Sequence, residues 1–366
     1  MKRVLLLLIL ALVTLQAMAQ DTLQTEQPKK KMSWLRRTIR GFSYIDEKYV
    51  EPQHYNWSVM LQATHTYDYY RLSTSGADGQ SVLLSPEPNL KVGPYFGWRW
   101  VFLGYTFDLK RVDMDLKDLK QEIDLSIYAA QIGVDLYYRR TGCDYHIRRA
   151  NLGKDVNTKP LEGVPFDGIS VGITGVNLYY IFNHKRFSYP AAFAQSTIQK
   201  ISCGSWMAGV TYTRNSIEFD HEKLQTVIDE HMGAQTVKVD SGLMFNSVEY
   251  YNYAASIGYA YNWVFAKNFL FCSSLSLALA FKRTHGESSS SKDLLSINNF
   301  NIDGIGRFGL VYNNMRWYAG ASVIVRAYNY HKSNFAANNI FGSLNMYVGY
   351  NFGARSRYKK HKKNYE

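Results

Sequence analysis

Nine histidines, three cysteines and a set of alternately spaced charges are the residues with which this chain could do chemistry. A hydrolase needs a serine or carboxylate beside a histidine, with a third group holding the imidazole. The histidines (His54, His65, His146, His184, His221, His231, His285, His331 and His361) fall almost entirely between or beyond the periodic segments described below. The chain holds no H-E-x-x-H pair and no phosphate loop. Ser205, in Gly204-Ser205-Trp206, reads as a small inward-facing residue rather than a nucleophile. Cys143, Cys203 and Cys272 are odd in number and lack C-x-x-C spacing. They read as buried thiols, with a single disulfide as the alternative. No catalytic, cofactor-binding or metal-binding constellation emerges, and the chain is read as a non-enzyme.

The charges within periodic segments are more informative. Asp135 and Arg139 share one face of a segment, Asp303 and Arg307 share a face of another, and Arg326 and Asn345 lie on the two segments that follow. A charge facing lipid at mid-bilayer costs about 2–4 kcal/mol, so the inside of a barrel is where such residues belong. These six form the candidate lumen network. They act either as a filling that braces the wall or as a selectivity lining for a small polar solute.

The segments themselves alternate with period two. Trp57, Val59, Leu61, Ala63, Tyr67 and Tyr69 share a face against Ser58, Gln62, Thr64, Thr66 and Asp68; His65 interrupts the apolar side. Tyr128, Ala130, Ile132, Val134, Leu136 and Tyr138 stand against Gln131, Gly133, Asp135, Tyr137 and Arg139. Tyr251 to Tyr261, Trp206 to Tyr212, Leu275 to Phe281, Trp317 to Val325 and Leu344 to Phe352 repeat the pattern. Ten residues at ~3.3 Å each, tilted by ~40°, project to ~25 Å, the height of an outer-membrane apolar band with aromatics at both rims. The apolar phase switches near Gly175, which predicts a β-bulge. The fold class expected is an all-β, antiparallel transmembrane β-barrel of about twelve strands. Ten result if Val92 to Leu109 is one strand rather than a hairpin.

Short turns are expected at Arg99-Trp100, Thr141-Gly142, Phe265-Ala266-Lys267 and Asn313-Asn314, and long polar connections near 74–87, 152–167, 215–246 and 284–298. Their alternation places both termini on the short-turn, periplasmic side. The link from Asn183 to Gln199 is the one long connection there. Leu35, Ile39, Phe42, Ile45 and Tyr49 predict an amphipathic helix over Trp34 to Val50, and a second short helix is expected over His221 to Met232.

Lys2 and Arg3, the apolar run Val4 to Val13 and Ala17-Met18-Ala19 read as a signal peptide cleaved after Ala19. The expected organisation is therefore 1–19 signal peptide, 20–54 periplasmic segment with helix, 55–353 barrel and 354–366 basic periplasmic tail. The formal charge of +12 concentrates toward the termini. Arg355, Arg357, Lys359, Lys360, Lys362 and Lys363 crowd the tail, where they can touch an anionic surface. Charge confined to termini argues against a nucleic-acid groove. Outer-membrane lipids, with the cell wall or another envelope protein, are the partners implied.

Gly93-Pro94-Tyr95-Phe96-Gly97-Trp98 and Gly104-Tyr105-Thr106-Phe107-Asp108 resemble a Bacteroidota family known as domain of unknown function 4421. Asn56-Trp57, Phe187-Ser188-Tyr189-Pro190 and Gly204-Ser205-Trp206 are similar to it as well, and the resemblance spans Ile45 to Phe352. It implies an outer-membrane barrel and carries no site residues. The functional expectation is a structural or envelope-organising barrel with a narrow or plugged lumen. A narrow transport pore for a small polar solute is second, and a membrane-embedded lipid hydrolase third.

Overall fold

The computed structural model describes residues 45–355 and Tyr358, apart from 75–78, 99–100, 105–106, 109–120, 142–143, 155, 234–236, 285–299 and 333–334. The expected signal peptide, most of the expected N-terminal helix, Cys143 and nearly all of the basic tail lie outside the described residues. The chain begins with β1 (Val50–Pro52), β2 (Tyr55–Thr74), β3 (Ser81–Pro86), β4 (Asn89–Trp98), β5 (Val101–Gly104) and β6 (Phe107–Asp108). It continues through β7 (Gln121–Tyr128), β8 (Ile132–Thr141), β9 (Tyr145–Asn151), β10 (Pro165–Phe166) and β11 (Ile169–Ile181). Helix α1 (Tyr189–Phe193), β12 (Thr197–Gln199), β13 (Cys203–Phe219) and helix α2 (His221–Met232) follow. The last five strands are β14 (Ser247–Ala266), β15 (Phe269–Thr284), β16 (Phe300–Asn313), β17 (Trp317–Lys332) and β18 (Phe335–Ala354).

Strands β13 to β18 pair antiparallel in chain order, and β18 returns to β2 over the whole length of the wall, from Phe335 opposite Thr74 to Ala354 opposite Tyr55. The ring is completed differently in its two halves. In the outer half, Tyr70 to Ser73 of β2 pair with β3, β3 pairs with β9, and β9 with β10, which runs on into β11. In the inner half, Trp57 to Thr66 of β2 pair with β4, β4 pairs with β5 and β6, and β7 pairs with β8. Among the described residues, β5–β6 at the edge of β4 and β7 at the edge of β8 thus have no counterpart in the outer half. The strand number differs between the halves, where the sequence reading assigned one number to the whole wall. The end with the long connections and α2 is called outer here, following the usual asymmetry of membrane barrels.

Outward faces carry the apolar stripes the alternation predicts. Val210, Ile257, Leu275, Leu277, Leu279 and Val348 are exposed around the middle of the wall. Trp57, Trp98, Trp206, Trp263 and Trp317 ring the inner side, and Tyr69, Tyr212, Tyr253 and Phe300 lie toward the outer one. An apolar belt between aromatic girdles is what a barrel presents to lipid. No helix among the described residues is long and apolar enough to cross a membrane. The architecture is that of an antiparallel transmembrane β-barrel.

Four local expectations are corrected. There is no bulge at Gly175: β11 pairs with β8 and β13 in unbroken register, with its odd-numbered residues inward throughout. The apparent phase change arises because Ile169, Val171 and Ile173 face an apolar interior, whereas Val176 and Leu178 face outward. Gly175 is required because the Tyr137 ring occupies the space its Cβ would need. Where a hairpin turn was expected at Thr141-Gly142, the flanking strands β8 and β9 run in the same direction, along β11 and β10. The turn lies at 129–131 instead, so Tyr128 ends β7 and packs inward on Tyr189, while Gln131 leaves the lumen and donates to the Tyr180 hydroxyl at 2.6 Å. Finally, the described end of the expected N-terminal helix is a turn. Val50 N donates to Asp46 O at 2.9 Å, and the chain then enters β1, which pairs with β12. Helix α2 forms over the residues expected for it, with Asp220 capping its N-terminus and Leu224 and Ile228 buried.

Candidate functional site

The lumen is occupied in three layers, each built by the inward parity of the strands. In the outer layer, Leu72, Val82, Leu84, Ile147, Phe166, Ile169, Val171, Ile217 and Phe219 form one apolar cluster. Leu224 and Ile228 of α2, with Val239 and Leu243 of the same connection, close it from above. Burying such side chains contributes about 1.5–3 kcal/mol each. This layer is therefore an apolar core, and the described residues of 220–246 are its lid.

Below it lies the charged belt. Asp135 of β8 forms a buried ion pair with Arg307 of β16, and five strand positions along the wall separate the two, so the bond crosses the lumen. Asp135 also accepts from Ser126 Oγ at 2.7 Å and Asn177 Nδ2 at 2.8 Å, and Asn177 Oδ1 accepts from Thr211 Oγ1 at 2.9 Å. Tyr137 and Tyr328 hydroxyls meet at 2.6 Å across the same gap. Arg139 donates to Gly342 O at 3.4 Å and lies 4.9 Å over the Phe341 ring; Arg326 lies 4.8 Å over Tyr137. Arg307 itself stacks 5.1 Å over Tyr179. All of these side chains but that of Ser126, which is half-buried, are buried.

A second ionic centre sits on the β14–β17 side. Asp303 pairs with Lys282 Nζ at 3.1 Å and accepts from Asn252 Nδ2 at 2.9 Å and Asn329 N at 3.0 Å. Lys282 also donates to Asn329 O. The structure thus brings together five of the six expected network residues as buried inward groups, in two centres. Asn345 stays apart, accepting from Thr64 Oγ1 at 2.8 Å and Gln62 Nε2 at 3.3 Å. Lys282 and Asp68, both buried, were missed as network members. Strand alternation marks both as inward: Lys282 follows the outward series Leu275 to Phe281, and Asp68 lies opposite Tyr67 and Tyr69.

The third layer is a plug. The link after β11 turns into the inner mouth, where Phe187, Tyr189, Ala191 and Ala192 are fully or almost fully buried. Tyr189 donates to Ser274 of β15, Gln195 Nε2 donates to Tyr347 of β18 at 2.6 Å, and Asn262 Nδ2 of β14 donates to Ser188 O at 2.8 Å. Tyr128 of β7 and Gly309 of β16 contact α1 from other sides. Gln199 staples the link, accepting from Ser188 N and donating to Arg186 O at 2.7 Å. This plug is formed by the link after β11, at the opposite end of the lumen from the connection that carries α2.

Cys272 is buried beneath Ala191 and Ala192, Cys203 is half-buried at the inner end of β13, and neither is in a disulfide. Ser205 Oγ donates to Trp206 O and accepts from Asn183 N, a backbone brace at the plug's root. Among the described residues, no group of three or more His, Cys, Asp or Glu is placed to hold a metal ion. Arg355 is the one described member of the expected surface-contact set, and it is pinned at the inner rim. Its backbone N donates to His54 O at 2.9 Å and its Nε to Tyr55 O at 3.1 Å. Arg357, Lys359, Lys360, Lys362 and Lys363 lie outside the described residues.

A family described as "Domain of unknown function (DUF4421)" matches residues 44–352, from the first turn to the last outward aromatic of β18. The chain belongs to this family. Among curated proteins nothing matches it significantly. Solved structures similar to this family member include the outer membrane protease OmpT of Escherichia coli, at 8% identity and TM-score 0.34 over 81% of this chain and 97% of that one. A bacterial polysaccharide outer membrane secretin is similar at 8% identity and TM-score 0.28 over 82% and 99% of the two chains. A Pseudomonas aeruginosa FadL homologue is similar at 9% identity and TM-score 0.24 over 81% and 90%. At such scores the likenesses carry no argument about activity.

Proposed function

We propose that this family member is an outer-membrane barrel that serves as a closed, structural element of the envelope rather than as a pore or an enzyme. The observation that carries this reading is the cross-lumen belt, in which Asp135–Arg307 and Tyr137–Tyr328 tie opposite walls together. An open conduit keeps its opposite walls apart and wet; here paired side chains occupy the axis, with an apolar layer above and a plug below. The aromatic-rimmed apolar exterior supports placement in the outer membrane, where closed barrels are the spanning form that leaves no unpaired sheet edge.

Two measurements test the reading. The protein should fractionate with outer membranes and migrate differently before and after boiling; recovery in the soluble periplasm removes the membrane placement. Reconstituted in planar bilayers, the wild type should show no steady conductance. Replacing residues 188–196 by a short Gly-Ser linker should still not open it, because the belt and the outer core remain. A large, steady current from the wild type would give precedence to the narrow-pore reading.

A further inference from the structure

We propose that the outward face of β2, β3 and β9 at the outer rim binds the phosphates of an anionic outer-leaflet glycolipid through Arg71, Arg148 and Arg149. The inference rests on the outer-membrane reading above and adds a ligand to it.

Arg71 lies on the outward parity of β2, one step beyond Tyr69 of the outer girdle. Leu83 of β3 stands opposite Arg71 on one side and Arg149 of β9 on the other, so the two arginines flank it in one row. At ~4.8 Å per strand, their Cα atoms are roughly 10 Å apart. The register of β3 and β9 shifts between Leu83 and Leu84, and this irregularity turns two consecutive residues, Arg148 and Arg149, to the outside. A regular strand would have sent one of them into the apolar lumen layer. A bulge that re-aims a side chain is a recognised way to build a surface site.

Two of the guanidinium groups are held by serines of β3. Arg148 Nε donates to Ser85 Oγ at 2.6 Å, and Arg71 reaches Ser81 Oγ at 3.5 Å. Both serines are buried beneath them on β3. Among the described residues none of the three arginines forms an ion pair, and the carboxylate nearest in sequence to β3, Glu87, faces His146 at 3.9 Å. Arg214 provides the contrast. It stands one step beyond Tyr212 on the same girdle, yet its Nε is 2.7 Å from Glu249, which satisfies it within the protein.

Three guanidinium groups without an ion pair among the described residues, at the edge of a lipid-facing wall, match phosphate in charge and in fork geometry. Their spread over three strands suits a headgroup bearing more than one phosphate. Tyr69 and Ile340, exposed just inside the row and opposite each other on β2 and β18, offer an apolar wall for the acyl chains. That wall argues for a lipid over a free ion.

The test uses full-length protein in detergent micelles, with retention of bisphosphorylated lipid A followed by native mass spectrometry. The wild type should retain it, and R71Q/R148Q/R149Q should lose affinity by at least about tenfold. R214Q should bind as the wild type does. The gel shift on boiling establishes that each variant is folded; if the triple variant fails it, R148K/R149K, which keeps the charge but loses the fork, should still show weakened retention. Equal retention by the folded arginine variants overturns the proposal. So does equal retention of dephosphorylated lipid A, equal displacement by phosphatidylglycerol, or competition by inorganic phosphate at matched concentration. Binding in micelles is scored independently of cell fractionation, so failure here is distinguishable from failure of the outer-membrane placement.

Discussion

At the outer end of the lumen, Leu72, Leu84, Ile147 and Phe166 meet beneath α2, while a few residues deeper Asp135, Arg307, Asp303 and Lys282 face one another in pairs. Both layers fill the same tube, yet they fill it by different physics. The apolar layer is distributed over some two dozen buried side chains, none of which depends on a single partner. The belt is pairwise, because each buried charge is tolerable only while its counter-charge and hydrogen-bond donors stay in place. The layer nearer the lid can therefore lose a contact and relax, whereas the belt cannot.

The sharpest way to break that comparison is to leave one belt charge without its partner. Arg307→Met should destabilise the barrel by about 3–5 kcal/mol, read as a lowered midpoint of urea unfolding in detergent. D135N/R307M should recover much of the loss, since no uncompensated ion remains. If the double variant is as unstable as the single one, the belt works through packing and the contrast with the apolar layer disappears. In that outer layer, Ile228→Ala should cost about 2–3 kcal/mol, toward the lower end for a buried aliphatic because the lid can settle onto the space. Hydrogen exchange should show the change confined to 220–246 and the strand ends it covers.

How much of this was legible beforehand follows from what alternation can encode. Each outward stripe was readable because lipid imposes one rule on every position along the wall, so Leu275, Leu277 and Leu279 stand in phase. The inward side obeys no single rule. Its residues are apolar beneath α2 and ionic in the belt, which is why Ile169 to Ile173 followed by Val176 and Leu178 imitated a bulge. Asp135 and Arg307 were identifiable as inward charges, but their pairing across the lumen depends on barrel closure, which strand periodicity does not specify. The plug was hidden for a related reason. Phe187, Tyr189, Ala191 and Ala192 read as an ordinary link, and only the strands around them turn that segment into a core.

A smaller effect should separate the lid from the belt by way of a cap. Asp220 accepts from Lys223 N at 2.9 Å at the start of α2, satisfying one of the helix's otherwise unpaired donors. Asp220→Ala should cost about 1 kcal/mol and raise proteolytic cleavage within 221–232, with the unfolding midpoint of the barrel nearly unchanged. A matching shift of that midpoint would mean that lid and belt unfold as one unit.

The smallest effect concerns the inner plug and is a pH dependence. His184, at the plug's root, is buried, and burial holds its pKa below the ordinary 6.5, with Lys185 adding to the shift and the Ile181 carbonyl opposing it. The folded plug therefore keeps the imidazole neutral, and the unfolded link takes up a proton first as the solution is acidified. Stability from this site is fully present above pH 6.5 and declines as pH falls from there through the depressed folded value. His54, beside β1 of the small sheet that holds the plug, is lowered in the same sense, by its own burial and by Arg355 against Glu51. Protection factors of the amides over 182–202, taken relative to the intrinsic base-catalysed rate that itself slows in acid, should thus fall between pH 7.5 and pH 5, while the α2 lid keeps its protection. H184Q should flatten most of that profile and H54Q/H184Q the remainder. If the plug of H54Q/H184Q loosens in acid as much as the wild type, protonation of these two imidazoles is not what sets the strength of the inner closure.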